Sequence, residues 1–484
     1  MYLGCDLGTT NVKALLTNGD GRAVATGSAP VDLLLTPDGG IEQDIEQIWA
    51  ATCAAIRQAL SGVNPAAIRA VGVSSQGGAL QLLDAAEQPV GRVISWLDSR
   101  GRPFDLDLTE ELGADFLAEH IGHAASTMTL GQILRLQQQS PERFKTVRHV
   151  SFVGDAIVGR LCGRRAHDAT SLAIAMLYNP RLQRPDQEVL ARLKLEESQL
   201  PDLLPATTPA GKIQPAACRA TGLPAGIPVS PAIHDQYAVS LGAGSVQDGD
   251  VTFGAGTAWV LLANSARLAR PATADAFVCP HPVPGLYGQL LSMRNGGSAI
   301  EWVLRLLGRD DASPAAVDQV LAEIPPGCDG LRFWPLLSPA ANAEEAFPTS
   351  GRISGITLNH RGSHLLRAVV EGLACELARH LMLLAKAGIA VARLTMCGGG
   401  AASRLTPQII ADVTQQAVAH VEAFDVSALG AAVVAQALLD PAVPLEELAR
   451  RSVPPSRLVL PSENADIYCK VREHYLATFP GGGD

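Results

Sequence analysis

Apolar residues in the first thirty positions cluster into three strand-length pieces, Met1 to Cys5, Lys13 to Thr17 and Ala23 to Ser28. Asp6-Leu7-Gly8-Thr9-Thr10 separates the first two and Asn18-Gly19-Asp20-Gly21 the next, so the pattern predicts three antiparallel strands. Asp44, with Gln47 three residues on, reads as a capping box for a helix over about Ile45 to Leu60. Val71 to Ser75 then reads as a buried strand running into Gln76-Gly77-Gly78. The proline-rich stretch Pro201 to Pro231 reads as surface wrapping, ending in the apolar strand Val229 to Ile233, with a boundary expected near residue 245. Beyond it, Asp250 to Phe253 and Trp259 to Ala263 bracket Gly254-Ala255-Gly256-Thr257, the same strand, small-residue turn, strand arrangement as at the start. Leu365, Leu366, Val369, Val370, Leu373, Leu377, Leu381 and Leu384 make a helical stripe, and Leu394 to Cys397 is a short strand emptying into Gly398-Gly399-Gly400. The chain reads as one architecture built twice.

Length supports that reading, because 484 residues exceed what one hydrophobic core usually serves. Two domains are expected, 1–244 and 245–484. With 47% hydrophobic and 18% charged residues, the chain falls among folded globular proteins. The net charge of -10 and the absence of a Lys/Arg-rich run argue against nucleic acid as a partner. No uninterrupted apolar run approaches the roughly 18 to 20 residues of a spanning helix, so no membrane insertion is expected. Nine scattered cysteines without a C-x-x-C pair read as reduced thiols, which points to the cytoplasm.

The chemistry lies in the turns. A turn of Gly with Ser or Thr exposes backbone N–H groups without side chains in the way, which suits phosphate oxygens. Taken singly, each is equally a plain hairpin. Two in corresponding places, with a third glycine run at 398–400, favour a nucleotide. Asp6 then becomes a candidate Mg²⁺ partner, with Gly8, Thr9, Thr10 and Lys13 facing the phosphate. Asp235 follows the strand Val229 to Ile233 and is either a helix cap or a general base. Trp96 is either a core residue or an apolar platform for a small polar ligand, with Gln76 and Asp98 offering hydrogen bonds. His234 reads as structural.

In the order and spacing of several stretches the chain resembles the FGGY carbohydrate kinases of the actin-like, ribonuclease-H-fold superfamily, within them the xylulokinases. These stretches are Gly4 to Thr10, Glu42 to Asp44, Ser75-Gln76, Ile94 to Arg100, His234 to Gln236 with Gly242, Phe253 to Thr257, Arg367-Ala368 with Glu371-Gly372, Gly398 to Ala401 and Ala428 to Ala431. The resemblance implies an α/β fold of two actin-like (ribonuclease H-like) domains flanking a deep interdomain cleft, with sugar held mainly by the first and ATP mainly by the second. It makes Asp235 the catalytic base, assisted by Asp6 at the metal. It assigns Gly254, Gly256 and Thr257 to a second phosphate loop, Gly297 with Ser298 to a nucleotide contact, and Gly399, Gly400 and Ala401 to the adenine side. Substrate contacts are expected from Gln76, Gly77, Gly78, Trp96, Asp98, Asp235 and Gln236.

The expected reaction is transfer from ATP to a terminal hydroxyl, with D-xylulose as the first substrate; a homodimer is common among relatives. Where the xylulokinases carry Met-His-Gly after the glutamine, this chain has Gly77-Gly78, and Ser338 to Phe347 lacks their Glu-Arg-x-Pro. Loss of large side chains predicts a pocket open to a bigger or differently oriented ligand. Glycerol, erythritol and ribulose are the alternatives within the class, and a non-catalytic sugar or nucleotide sensor is the alternative outside it.

Overall fold

The computed structural model describes residues 1–293, 295–337, 350–398, 403–422 and 425–479. They form two compact units. The first comprises Met1–Gln247, Asn264–Gln289 and Asp425–Val453, and the second comprises Asp248–Ala263, Leu290–Phe424 and Pro454–Asp484. The expected division at 244/245 falls close to the end of the first unit's leading segment. The halves are nevertheless not consecutive in sequence, because the first unit takes back two later segments.

In the first unit, β1 (Tyr2–Leu7) and β2 (Asn11–Thr17) form an antiparallel hairpin that places Asp6 opposite Lys13. The third strand, β3 (Ala23–Pro30), pairs with β2. Helix α1 (Ile45–Ala59) buries Ile45, Ile48, Thr52, Ala55, Ile56 and Ala59, the three-and-four spacing of a single apolar face. Asp44 caps it by accepting from Glu46 N, but Gln47 does not close the expected box; its amide donates to Asp32 instead. The chain then enters β4 (Ala70–Ser75), whose six residues are all buried and which runs parallel to β1. On the other side of β4 lies β5 (Pro228–His234), also parallel. The full order is Asp202–Leu203, Ala166–His167, β5, β4, β1, β2, β3. The proline-rich stretch is therefore part of the sheet region and not an outer wrapping: Asp202–Leu203 and Gly211–Lys212 pair with strands, and Ala206, Ala210 and Ile213 are buried.

The late segment returns for a packing reason. Helix α7 (Val426–Ala437) is built of small residues and lies against β1, β4 and helix α4 (Asp235–Gly242). A Cβ at Gly4 would overlap Ala428 O, one at Gly72 would overlap Ala431 O, and one at Gly430 would overlap Ala238 O. Glycines at these positions let backbones meet without intervening side chains.

The second unit repeats the opening motif. β6 (Asp250–Ala255) and β7 (Trp259–Ser265) form an antiparallel hairpin, and β8 (Arg393–Cys397) runs parallel beside β6. β9 (Val418–Val421) follows in parallel, then β10 (Ser456–Val459) antiparallel. Hairpin first and parallel neighbours afterwards is the same progression as β1, β2, β4 and β5. Between β7 and β8 come α5 (Gly297–Leu306) and α6 (Gly362–Lys386); α6 carries the predicted leucine stripe, largely buried.

Candidate active site

Asp6 and Asp235 end strands on either side of β4. Asp6 is opposite Ser74, and His234 is opposite Ser75, so Asp235 begins α4 one residue beyond the edge of the sheet. Two strand spacings separate the backbones, roughly 10 Å, and the charge of Asp235 is felt at Asp6. Asp6 Oδ1 accepts from Ser74 Oγ at 2.6 Å and Ser427 Oγ at 2.9 Å. Burial, then the negative charge of Asp235, push Asp6 up to about 6, against the opposing pull of the two serines and Lys13. Burial likewise pushes Asp235 up to about 6, while the backbone and side-chain N–H groups of Gln236 hold it down. The capping alternative for Asp235 fails: the N-cap of α4 is His234, whose Nδ1 accepts from Gln236 N at 3.3 Å. Burial lowers the His234 pKa to about 3, so its ring is neutral.

A hydrogen-bonded chain lies beside this pair. Trp96 Nε1 donates to Thr9 Oγ1 at 3.0 Å, Thr9 Oγ1 donates to Gln76 Oε1 at 3.1 Å, and Gln76 Nε2 donates to Gln43 Oε1 at 3.0 Å. Gln43 closes the loop by donating to Thr9 O at 2.8 Å. The chain leaves Trp96 42% exposed with its one donor engaged, so its ring is a fixed apolar surface open to solvent and not a core residue. Gln76, by contrast, is buried and faces Thr9 and Gln43. Asp98 also has a different job from the one expected: its side chain has no exposed surface, and its oxygens accept from Ile41 N, Gln132 Nε2 and the Arg100 guanidinium. It anchors a turn.

Gly77 and Gly78 do not leave a void. A Cβ at Gly77 would overlap the His234 ring, and one at Gly78, where φ is +70°, would lie 3.2 Å from Met128 Sδ and 3.7 Å from Trp96 Cβ. The space forfeited by the glycine pair is taken by side chains from elsewhere in the chain. The expectation of an enlarged pocket is corrected accordingly.

The remaining sequence candidates divide by unit. Gly8 N bonds to Asn11 O, closing the β1–β2 turn, and Thr10 is exposed at its edge. Lys13 pairs with Asp425 at 3.1 Å. In the second unit, Gly297 N donates to Gly256 O at 2.9 Å and Ser298 N to Thr257 O at 3.0 Å, which seats the turn on the start of α5. Those two helix amides are thereby occupied within the protein. Gly254 lies opposite Val260 in the hairpin and beside Cys397 in β8, and Gly398, at φ +96°, packs on Ala255. Gly399, Gly400 and Ala401 lie outside the described residues, as does Ser338 to Phe347.

A hard divalent cation fits Asp6 on donor chemistry, since a partly exposed carboxylate crowded by a second one is relieved by positive charge. No cluster of three or more His, Cys, Asp or Glu able to hold a metal occurs among the described residues, so phosphates and water would complete its shell. Sequence reasoning missed Ser74, Ser427, Gln43 and Met128. Register in a parallel β1–β4 pair points to Ser74; nothing in the sequence signals that Ser427 returns to Asp6.

The chain matches the model of the N-terminal domain of the FGGY family of carbohydrate kinases over residues 1–242, and that of the C-terminal domain over residues 252–439. It is 28% identical to a xylulose kinase of Escherichia coli, covering 93% of this chain and 92% of that protein. An L-fuculokinase of the same organism is 26% identical, covering 89% and 91%. The crystal structure of a xylulose kinase from Rhodospirillum rubrum superposes with a TM-score of 0.88 at 25% identity, covering 99% of this chain and 98% of that one.

Proposed function

The chain belongs to the FGGY family of carbohydrate kinases, and on that footing we propose that it uses ATP and Mg²⁺ to phosphorylate a terminal hydroxyl of a short ketose, D-xylulose first, giving D-xylulose 5-phosphate. The observation that carries the reading is the pair Asp6 and Asp235, at the ends of strands flanking β4 and both pushed up to about 6. Asp235 takes the proton of the acceptor hydroxyl as the phosphoryl group arrives, and a base of that strength is ionised at neutral pH while still able to hold a proton. Gln236 keeps its carboxylate oriented. Asp6 holds the cation, which when bound neutralises phosphate charge. Thr10 and Lys13 face the phosphate, the Trp96 ring takes the carbon side of the sugar, and Gly254, Gly256 and Thr257 hold the nucleotide. The cytoplasm is the compartment that supplies both substrates, consistent with nine free cysteines and no helix among the described residues long and apolar enough to cross a membrane.

Asp235→Asn should still bind ATP but lose turnover by roughly 10²- to 10⁴-fold, the usual worth of a positioned base. Near-normal turnover removes Asp235 from the role. ADP release across a panel of ketoses and polyols, with mass detection of the phosphorylated product, identifies the acceptor. L-fuculose, the deoxyketose counterpart, is the competing substrate, supported by the near-equal similarity to an L-fuculokinase.

A further inference from the structure

Met128 has φ 53° and ψ -96°, a backbone conformation that any residue carrying a Cβ disfavours. Such a residue persists only where its surroundings over-determine it, and strain of this kind gathers at ligand clamps. Here the surroundings are visible. Asp105 on α2 (Arg102–Leu112) is buried, and its Oδ1 accepts from Ser126 Oγ at 2.5 Å and from Gly131 N at 2.8 Å, one on each side of Met128. Ser126 N is tied again to Thr109 Oγ1, one turn further along α2, at 2.9 Å. Helix α3 (Thr129–Gln139) begins immediately after Met128, and its Gln132 Nε2 donates to Asp98 O at 2.9 Å, fixing the helix to the turn that carries Trp96. The result is a pinched turn in which Met128 Sδ and Trp96 Cβ lie 3.2 and 3.7 Å from where a Gly78 Cβ would stand.

We infer that Met128 is a specificity-determining residue of the acceptor site and that Asp105 is the positioning residue that holds it there. The inference rests on the kinase reading above and deepens it. The Met128 thioether by Gly78 brings no hydrogen-bonding N or O, and the Trp96 side chain near the same glycine has its one donor bonded to Thr9; in the inference these form the apolar edge of the acceptor site. An acceptor meets that edge with C–H or methyl hydrogens; a hydroxyl pointed there loses water and gains no partner. Gly78 is what admits the thioether, so its positive φ and missing side chain are part of the same device. The substrate class is therefore a ketopentose or deoxyketose, preferred over a ketohexose that carries a hydroxyl at this edge.

The test measures D-xylulose, L-fuculose and D-fructose by ADP release, and sugar binding without ATP by Trp96 fluorescence with Trp96→Phe as control. Met128→Ala should raise the sugar KM about tenfold, the scale of a lost apolar contact, with the KM for ATP at its wild-type value. Met128→Leu, which keeps the volume, should raise the sugar KM less than Met128→Ala does. Asp105→Ala should reproduce the sugar-specific loss, whereas Asp105→Asn should restore binding because its carbonyl accepts both bonds. The idea is overturned if Met128→Ala leaves sugar KM and binding unchanged, if Asp105→Asn is as impaired as Asp105→Ala, or if D-fructose outranks both other sugars. Should the wild type bind sugar yet phosphorylate none, the kinase reading falls alone and the binding shifts of the same variants decide the inference. A wild type that binds no sugar overturns both.

Discussion

At Asp6 and Asp235 the burial that raises both carboxyls carries a stability cost, and it tunes the reactivity proposed for the pair. Both carboxyls stand well above the ordinary carboxylate value, so the folded protein binds their protons more tightly than the unfolded chain does. Between about pH 4 and 6 stability therefore falls as pH rises; the contribution of these groups is favourable below the unfolded pKa and lost through about 6. Asp235→Asn should accordingly melt higher than wild type at pH 7.5 and show little difference at pH 4, measured by thermal denaturation. Activity runs the other way, with kcat/KM falling as pH drops through about 6, as an apparent constant of the interacting pair. Ser427→Ala removes a donor to Asp6, and should move that acidic limb upward. The placement of Asp6 and Asp235 near strand ends was legible from the apolar runs that precede them. The partners of Asp98 were not legible, because no local pattern shows where Arg100, two residues on, turns its guanidinium.

Among elements, the hydrophobic periods located β1 to β8 within a few residues, because each carries its own apolar alternation or run. What they could not supply was partners. Helix α7 reads as an apolar helix wherever it goes; only the coordinates show that Gly4, Gly72 and Gly430 mark its docking lines. Gly72→Ala should cost about 1 to 3 kcal/mol or more, since the methyl meets backbone and not a yielding side chain. Gly19→Ala, with nothing within 4 Å, is the control expected to be near neutral; urea denaturation of both variants compares them. The Gly77-Gly78 pair teaches the same lesson in reverse. Missing side chains suggested space, and the structure fills it with His234 and Met128, residues whose approach no local pattern announces.

For the whole molecule, the repeated hairpin was legible, and the discontinuity of the units was not. The first unit's leading segment ends at Gln247, and 264–289 and 425–453 are grouped with it. A chain ending at Gln247 should fail to give a cooperative melt, because the small-residue face of β1 and β4 loses the helix that covers it; circular dichroism against the full chain decides this. The return of α7 also orders events during synthesis. Ser427, one of the two donors to Asp6, leaves the ribosome after every strand of the first unit and most of the second. No nascent or prematurely terminated chain shorter than this can complete the Asp6 environment, so that carboxylate reaches its final setting only when the polypeptide is nearly finished.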